Sequence, residues 1–366
     1  MPEDVPVRGF SIGMAALVED LGADHAPKGW AGSPSDLARA ARLKQMLAVR
    51  QARAGQLEEA CQTVEGVARI YRRLARPEPA RYQPELAVTL TAWGLWSSRL
   101  SRREHAAAAL SDATELYREL LTRAGWPRLM YRIRLHVGLA VALSNLGLAR
   151  SELGEHEAAT AAAEESIVIL HRLRAHNPLY RMLARGNPVG FEHCLAAALN
   201  NLGLVLAARG HRERACELAV QTTESYRRLA GLAPVLFEAE LARALHNLGL
   251  AAAEAAQLDT ALAASQESVY LHRLLVSSDS AGHRQDLGRA LSAFAHIRAA
   301  CGRDLGEALA AAEEAVTLHE KLTADQPQVF TADLHAAYRT VSQVRAAWSR
   351  RSGGSADSDA DRDNSR

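Results

Sequence analysis

The chain has 366 residues, of which 48% are hydrophobic and only 5% aromatic, and its formal net charge is +1. This length exceeds what one ordinary core holds, so it predicts either two or three domains or one repetitive array. The balanced charge removes the electrostatic argument for general binding to nucleic acid or to an anionic membrane, because both need clustered positive charge.

Residues 1–34 form an N-terminal segment in which a short helix is predicted from Phe10 to Leu21. The segment lacks a basic stretch followed by a long apolar one, so it does not resemble a secretory signal. No window of the chain reaches the roughly 18 uninterrupted apolar residues that a membrane-spanning helix needs. These features predict a cytoplasmic protein with no membrane partner.

The chain has four cysteines, which lie far apart and include no Cys-x-x-Cys pair. Zinc sites and disulfide frameworks both show characteristic cysteine spacings, so neither is predicted. We expect the cysteines to be small buried residues of a reduced protein that needs no metal or cofactor.

Residues 35–350 contain an internal repeat, which is marked by its turns. Six small residues at nearly regular intervals each separate two long apolar-periodic segments. They are Gly55, Ser101, Gly154, Gly210, Ala256 and Gly302. A Tyr or His follows each turn at a nearly constant distance, at Tyr71, Tyr117, His171, Tyr226, His272 and His319. Such a pattern predicts helix, tight turn and helix in each unit, with the Tyr or His as a packing position that has a polar tip.

Three of the first segments contain Asn-Leu-Gly, at 145–147, 201–203 and 247–249. An alanine follows each of these glycines after twelve residues, at Ala159, Ala215 and Ala261. In this spacing the sequence resembles tetratricopeptide repeats, and its long units resemble those of kinesin light chains and of many actinobacterial repeat proteins. The resemblance implies an all-α, right-handed solenoid of about six antiparallel helix pairs, closed by a C-terminal capping helix near residues 328–350.

The sequence after the predicted cap differs in composition from the repeats. Residues 351–366 are rich in Ser, Asp and Gly and carry too few apolar side chains to bury a core. We therefore expect three parts: an N-terminal segment at 1–34, a solenoid at 35–350 and a disordered tail at 351–366.

Several catalytic motifs occur only in part. Residues 9–13 match Gly-x-Ser-x-Gly, but that nucleophile needs a strand before it and an α/β sheet around it. His156 and Glu157 begin a His-Glu-x-x-His zinc motif without its second histidine. No phosphate-binding loop or dinucleotide fingerprint is present, so the sequence does not predict an enzyme.

The resemblance to tetratricopeptide repeats also implies a binding face. In that family the first helix of each pair lines a concave groove, and the Asn of Asn-Leu-Gly points into it. The predicted groove residues are Asn145, Asn201 and Asn247, with Ser144, Asn200, Arg243, His246, Arg289, His296 and Arg339 on the same face. Asn amides can pair with a peptide backbone, and Arg forks bind carboxylates, so an acidic segment or a free C-terminus is the expected ligand. Alternatively, the asparagines satisfy groups within the solenoid and the arginines pair with carboxylates of neighbouring helices.

Two connections between helix pairs are enlarged, one around residues 125–127 and one at residues 177–188. Extra residues in the loops of solenoids often serve binding. The apolar side chains that these loops offer to a partner are Trp126, Met130, Tyr131, Tyr180 and Met182. The same side chains could instead fold back on the solenoid.

Three functions remain open at this point. The first is a non-enzymatic adaptor or scaffold that binds a protein or peptide in the groove. The second is a regulatory sensor subunit whose ligand-bound solenoid controls a separate effector, such as a protease, an NTPase or a transcription factor. The third, which the sequence favours least, is an enzyme with a site hidden in the groove. Self-association also stays open, because an imperfect terminal cap can dimerise.

Overall fold

The computed structural model describes residues 34–124, 129–176, 188–278, 283–325 and 327–363, and they fold into thirteen α-helices without a strand. The chain divides into two compact units, which contain the described residues 34–232 and 233–363. We call them the N-terminal and the C-terminal unit.

The N-terminal unit contains eight helices. They are α1 Pro34–Arg53, α2 Leu57–Ala75, α3 Pro79–Arg99, α4 Arg103–Arg123, α5 Leu129–Glu152, α6 His156–His176, α7 Pro188–Ala208 and α8 Arg212–Leu232. Consecutive helices pack against each other along this unit, and α3 also contacts α5 just as α5 contacts α7. We call the odd-numbered helices first helices and their even-numbered partners second helices.

The C-terminal unit continues the pattern with five helices: α9 Pro234–Glu254, α10 Leu258–Ser278, α11 Arg284–Cys301, α12 Leu305–Asp325 and α13 Pro327–Asp363. Here too each helix packs on the next, α9 contacts α11, and α11 contacts α13. Helix α13 follows the last pair without a partner helix among the described residues. This all-α stacking of helix pairs confirms the fold class predicted from the repeat.

The helix pairs turn at the predicted small residues. Gly55, Gly154, Gly210 and Gly302 have φ angles of 63° to 81°, and Ser101 and Ala256 have φ angles of 59° and 57°. A residue in this left-handed region ends a helix because its backbone can no longer continue the right-handed turn. All six predicted turn positions are therefore confirmed.

The glycine of Asn-Leu-Gly lies at a contact between the two helices of a pair, and this contact is tightest at Gly147. A Cβ atom added to Gly147 would lie 2.8 Å from the carbonyl oxygen of Ala159. Ala159, Ala215 and Ala261 are at most 2% exposed. The absence of a side chain at the glycine and the small side chain at the alanine thus allow α5 and α6 to pack closely, as the repeat pattern implies.

Five of the six predicted aromatic packing positions are buried: Tyr71, Tyr117, Tyr226, His272 and His319 are at most 2% exposed. The sixth prediction, His171, is wrong, because His171 is exposed while the preceding Leu170 is 1% exposed. Leu170 lies as far after its turn as Tyr71 lies after the first turn, so the core position in this repeat carries leucine. In the last helix pair the packing residue, His319, lies one residue further from its turn. The reason is that Asp304 adds a second left-handed residue, with φ of 46°, to the turn.

Helix α13 is longer than the predicted cap, since it runs from Pro327 to Asp363 and enters the segment 351–366 expected to be a disordered tail. Its first part packs on α11 and α12.

Helix α7 is the one described helix that is long and apolar enough to cross a membrane, over Val189–Ala208, yet 56% of its most apolar window is buried in the protein. Its apolar character thus fits a helix packed between α5, α6 and α8.

Candidate functional site

The polar side chains predicted on the first helices of the N-terminal unit come together between α5 and α7. Asn201 donates from Nδ2 to Ser144 Oγ over 3.0 Å, and Asn200 donates from Nδ2 to Asn201 Oδ1 over 3.4 Å. Asn145 donates from Nδ2 to the carbonyl oxygen of Val141, one turn earlier in its own helix, over 2.8 Å. We call Ser144, Asn145, Asn200 and Asn201 the polar row.

The polar row is largely buried. Ser144, Asn200 and Asn201 are 2% to 3% exposed, and Asn145 is 8% exposed. Its hydrogen bonds join two successive first helices, which corresponds to the alternative that these side chains satisfy groups within the solenoid. An Asn amide offers two donors and an acceptor, so Asn145, which uses one donor within its helix, retains capacity for a further bond at its exposed edge.

In the C-terminal unit, Asn247 occupies the same repeat position on α9 and is 7% exposed. The predicted arginine on this helix is already paired. Arg243 Nη2 lies 2.6 Å from Glu240 Oε2, and Arg243 Nη1 donates to Asp286 Oδ2 of α11 over 3.1 Å. Burial lowers the pKa of the Arg243 guanidinium, but the two carboxylates outweigh burial and raise this pKa above its ordinary value.

The next arginine along the repeat forms a second pair of the same kind. Arg289 of α11 donates to Asp333 of α13 from Nε over 3.3 Å and from Nη2 over 2.6 Å, and Gln285 donates to the same carboxylate over 2.9 Å. Burial raises the pKa of Asp333, but Arg289 outweighs it and holds this pKa below its ordinary value. Arg243 and Arg289 therefore pair with carboxylates of neighbouring first helices, as the alternative interpretation stated, and do not present open forks to an acidic ligand.

Histidines fill the space around these ion pairs. His246 is partly buried, and burial together with the positive charge of Arg289 lowers its pKa to about 4. His272, on α10, is 1% exposed, and burial lowers its pKa to about 4 against the opposing charge of Asp286. Both rings are thus neutral near pH 7.

The remaining predicted groove residues lie nearer the surface. His296 contacts Gln343 of α13, with 3.0 Å between Nδ1 and Oε1. Arg339 of α13 is exposed. These two positions leave a cationic or polar side chain accessible on the first helices of the C-terminal unit.

Most of the predicted edge-loop site lies outside the described residues. This applies to Trp126, Tyr180 and Met182. Met130, at the start of α5, is 42% exposed, and the adjacent Tyr131 is partly buried in the core of the N-terminal unit. The Gly-x-Ser-x-Gly match at residues 9–13 also lies outside the described part of the chain.

Sequence reasoning missed the carboxylates that partner the arginines. Glu85, Glu240, Asp286 and Asp333 all occupy one repeat position, seven residues before the Asn position or its equivalent. Glu85 lies 3.7 Å from Arg42 of α1, so among the described residues three Arg–carboxylate pairs connect successive first helices. An acidic residue recurring at one repeat position was the signal that could have identified them.

The described residues contain no group of three or more His, Cys, Asp or Glu side chains arranged to hold a metal ion. The four cysteines are free thiols, and Cys61, Cys194 and Cys216 are buried. The first helices offer hydrogen-bonding capacity at Asn145 and the accessible side chains of Met130, His296 and Arg339.

Comparison with known proteins agrees with the repeat. A family model described as tetratricopeptide repeat matches residues 195–234, which span most of α7 and all of α8. The solved structure of BtubC (BKLC) from P. vanneervenii is similar, with 20% sequence identity, a TM-score of 0.51 and coverage of 73% of this chain and 92% of that one. These findings confirm the predicted resemblance and the tetratricopeptide-type fold.

Weaker similarity extends to two further solved structures. A Rap protein complexed with competence and sporulation factor shows 13% identity and a TM-score of 0.47, over 85% of this chain and 76% of that one. The apo form of RapI shows 12% identity and a TM-score of 0.44, over 86% and 99% of the two chains. Among curated proteins, no sequence matches the chain.

Proposed function

We propose that this tetratricopeptide-type repeat chain is a non-enzymatic adaptor or scaffold that binds a protein or peptide along its first helices. Stacked helix pairs present an extended surface rather than a single enclosed cavity, and this suits them to long, shallow ligands. The observation that carries the proposal is the polar row, because it places amide side chains at the same repeat position on successive first helices.

In the N-terminal unit the proposed contact is Asn145, which is 8% exposed, whereas Asn201, at 2%, serves to hold α5 and α7 together. In the C-terminal unit the proposed contact is Asn247, which is 7% exposed. A net hydrogen bond contributes about 0.5–1.5 kcal/mol, so two amides cannot supply a micromolar affinity of about 8 kcal/mol alone. Exposed apolar side chains such as Met130 are the proposed additional anchors.

The experiment is affinity capture from native cells with the wild-type chain and with the triple variant Asn145→Ala, Asn201→Ala and Asn247→Ala. A control variant, Gln221→Ala with Glu224→Ala, changes exposed residues of the second helix α8. We expect the triple variant to lose a partner that the control retains, while both keep the helical circular dichroism of the wild type. Equal recovery of that partner by the triple variant would exclude the polar row as the binding site.

A regulatory sensor is the second candidate, and the ion pairs of the C-terminal unit favour it. Arg243 and Arg289 connect successive first helices through Asp286 and Asp333. An acidic ligand that binds either arginine must replace one of these carboxylates, and it would thereby release one first helix from the next. Binding of an acidic segment or free C-terminus and a change in helix packing are therefore coupled in this proposal.

The sensor is tested with a hexa-aspartate peptide as probe and an uncharged Gly-Ser peptide of equal length as control. We expect only the acidic peptide to increase amide hydrogen exchange in α11 and α13 and to change the radius of gyration in X-ray scattering. Identical amide hydrogen exchange with both peptides would contradict the sensor function, and the adaptor function would remain.

The proposed location is the cytoplasm. Cys61, Cys194 and Cys216 are buried free thiols, and burial raises the pKa of Cys194 to about 11. Such buried free thiols suit a reducing compartment, where disulfides do not form. Localisation of the tagged chain in its native cell tests this assignment.

A further inference from the structure

Helix α1 exposes three large apolar side chains on one face. Leu43 is 51% exposed, Met46 is 48% exposed and Leu47 is 50% exposed. Their spacing of three and four residues places them side by side along the helix. We call Leu43, Met46 and Leu47 the α1 apolar face.

The same repeat positions are buried or partly buried in later first helices. Leu47 lies eight residues before its turn. Leu146, Leu202, Leu248 and Phe294 have the same spacing and are at most 8% exposed, and Trp93 is partly buried. The positions that correspond to Leu43 are likewise at most 2% exposed, at Thr89, Ala142, Ala198 and Ala244. In the N-terminal unit, α5 and α7 each pack on the first helix before them, whereas α1 is the first described helix. The α1 apolar face thus lies where a preceding repeat would pack.

The sequence before α1 contains a segment that matches this face. Phe10, Met14, Leu17 and Leu21 recur at intervals of three and four residues, so a helix over 10–21 would carry them on one side. Array ends need a helix that covers the terminal repeat on one side and faces water on the other. The segment has this amphipathic character, because Glu19 and Asp20 fall outside the apolar row.

Charge favours the same pairing. By sequence, residues 1–33 carry five acidic residues against two basic ones, a net charge of −3. Residues 34–53, the span of α1, carry five basic residues against one acidic one, a net charge of +4. Arg39 and Arg50 lie one turn before and one turn after the α1 apolar face, so the basic side chains flank the apolar ones. Opposite charge therefore orients an acidic segment on this helix.

The connection is long enough. Twelve residues, 22–33, separate Leu21 from the start of α1, and an extended chain of this length spans up to about 40 Å. Helix α1 has 20 residues and a length of about 30 Å. The segment can therefore reach any part of the α1 apolar face. Because it is covalently linked to α1, its effective concentration at this face is higher than that of a separate partner.

We propose that residues 10–21 form an amphipathic helix that packs on Leu43, Met46 and Leu47 of the same chain and caps the first repeat. This intramolecular cap closes the end of the N-terminal unit. Self-association through this end is correspondingly blocked.

The test measures thiol labelling at two introduced sites in the full-length chain. Met46→Cys places a thiol on the α1 apolar face, and Gln62→Cys places one on an exposed position of α2 as the matched control. Mass spectrometry of the labelled peptides separates these thiols from the native cysteines. Both substitutions are then combined with Phe10→Ser, Leu17→Ser and Leu21→Ser, or with a control outside the apolar row, Ser11→Ala and Ala15→Ser.

With the native segment, we expect the α1 thiol to react at least about tenfold more slowly than the α2 thiol, independent of protein concentration. The triple serine variant should remove this protection, while the control outside the apolar row keeps it. Equal labelling of the two sites with the native segment would overturn the proposal. Protection that persists in the triple serine variant would show that another partner covers the face. Protection that appears only at concentrations where sedimentation detects a dimer would show that a second copy covers it. Either result would overturn the proposal. Unchanged labelling of the α2 thiol shows that the first repeat remains folded.

Discussion

Arg289 and Asp333 form a bidentate pair that joins α11 to α13, with 3.3 Å from Nε to Oδ1 and 2.6 Å from Nη2 to Oδ2. The Arg289 side chain is 12% exposed and the Asp333 side chain 5%. Both charges are thus largely removed from water. The pair connects the last helix pair to the terminal helix through directional bonds rather than through apolar packing alone.

Removing one partner of this buried pair should be costly. Asp333→Ala leaves Arg289 buried without its carboxylate, and we expect the free energy of unfolding to fall by about 3–5 kcal/mol. The matched control is Glu165→Ala, which breaks the bidentate pair between Arg118 and Glu165 on the surface. In that variant the free energy of unfolding should fall by less than about 1 kcal/mol. Urea unfolding followed by circular dichroism measures both, and similar losses in the two variants would contradict the role given to the Arg289–Asp333 pair.

Acid should destabilise the protein through His272. Its folded pKa of about 4 lies below the ordinary value of 6.5, so its contribution to stability is fully present above pH 6.5 and is lost as the pH falls toward 4. The loss amounts to at most about 3 kcal/mol. His272→Gln should therefore show a shallower decline of stability over this pH range than the wild type.

The control for this prediction is His171→Gln, because His171 is an exposed residue at the neighbouring position of an earlier repeat. Thermal melts between pH 7 and pH 4 compare the three proteins. A decline in His272→Gln as steep as that of the wild type would show that other groups, such as His246, account for the acid sensitivity.

The hydrogen bond from Asn201 to Ser144 should couple α5 to α7. We expect a double-mutant cycle of Asn201→Ala and Ser144→Ala to give a coupling energy of about 0.5–1.5 kcal/mol. The single variants and the double variant are unfolded in urea under one set of conditions. A coupling energy near zero would show that the two side chains do not stabilise the helix pair through this bond.

Two alanine–glycine exchanges at the turns should change the free energy of unfolding in opposite directions. Ala256 has φ of 57° and is exposed, so Ala256→Gly relieves the left-handed backbone and should raise the free energy of unfolding by about 0.5–1 kcal/mol. Gly210 has φ of 80° and no atom within 4 Å of an added Cβ, so Gly210→Ala should lower stability by about 1 kcal/mol through the backbone alone. Thermal melts with the same sign of change for both variants would contradict this account of the turns.

The sequence predicted the helix pairs because their determinants are local. A small residue at each turn and an apolar ladder in each helix lie within one repeat, and the left-handed residues at all six turns confirm them. The error at His171 has a physical cause as well. The recurring Tyr or His points to His171 as the packing residue, whereas the core of this repeat contains the preceding Leu170.

The candidate site was harder to predict because its partners are distant in sequence. Arg243 and Asp286 are separated by 43 residues, and only the packing of α9 on α11 shows that they meet. The sequence therefore places Arg243 and Arg289 on one face, but it leaves open whether their forks bind an external ligand or carboxylates of neighbouring helices. The asparagines show the same limit, since the spacing located them on one face while the hydrogen bond from Asn201 to Ser144 depends on the register between two helices.

The central claim, that a partner binds along the first helices, is tested most directly by site-specific photo-crosslinking in native cells. A photoreactive amino acid replaces Ala197, which is partly exposed one turn before Asn201 on α7, or Gln221, which is exposed on the second helix α8. We expect a discrete crosslinked partner from position 197 that is absent from position 221 and disappears with Asn145→Ala. A partner that crosslinks equally from both positions, or only from position 221, would contradict binding along the first helices.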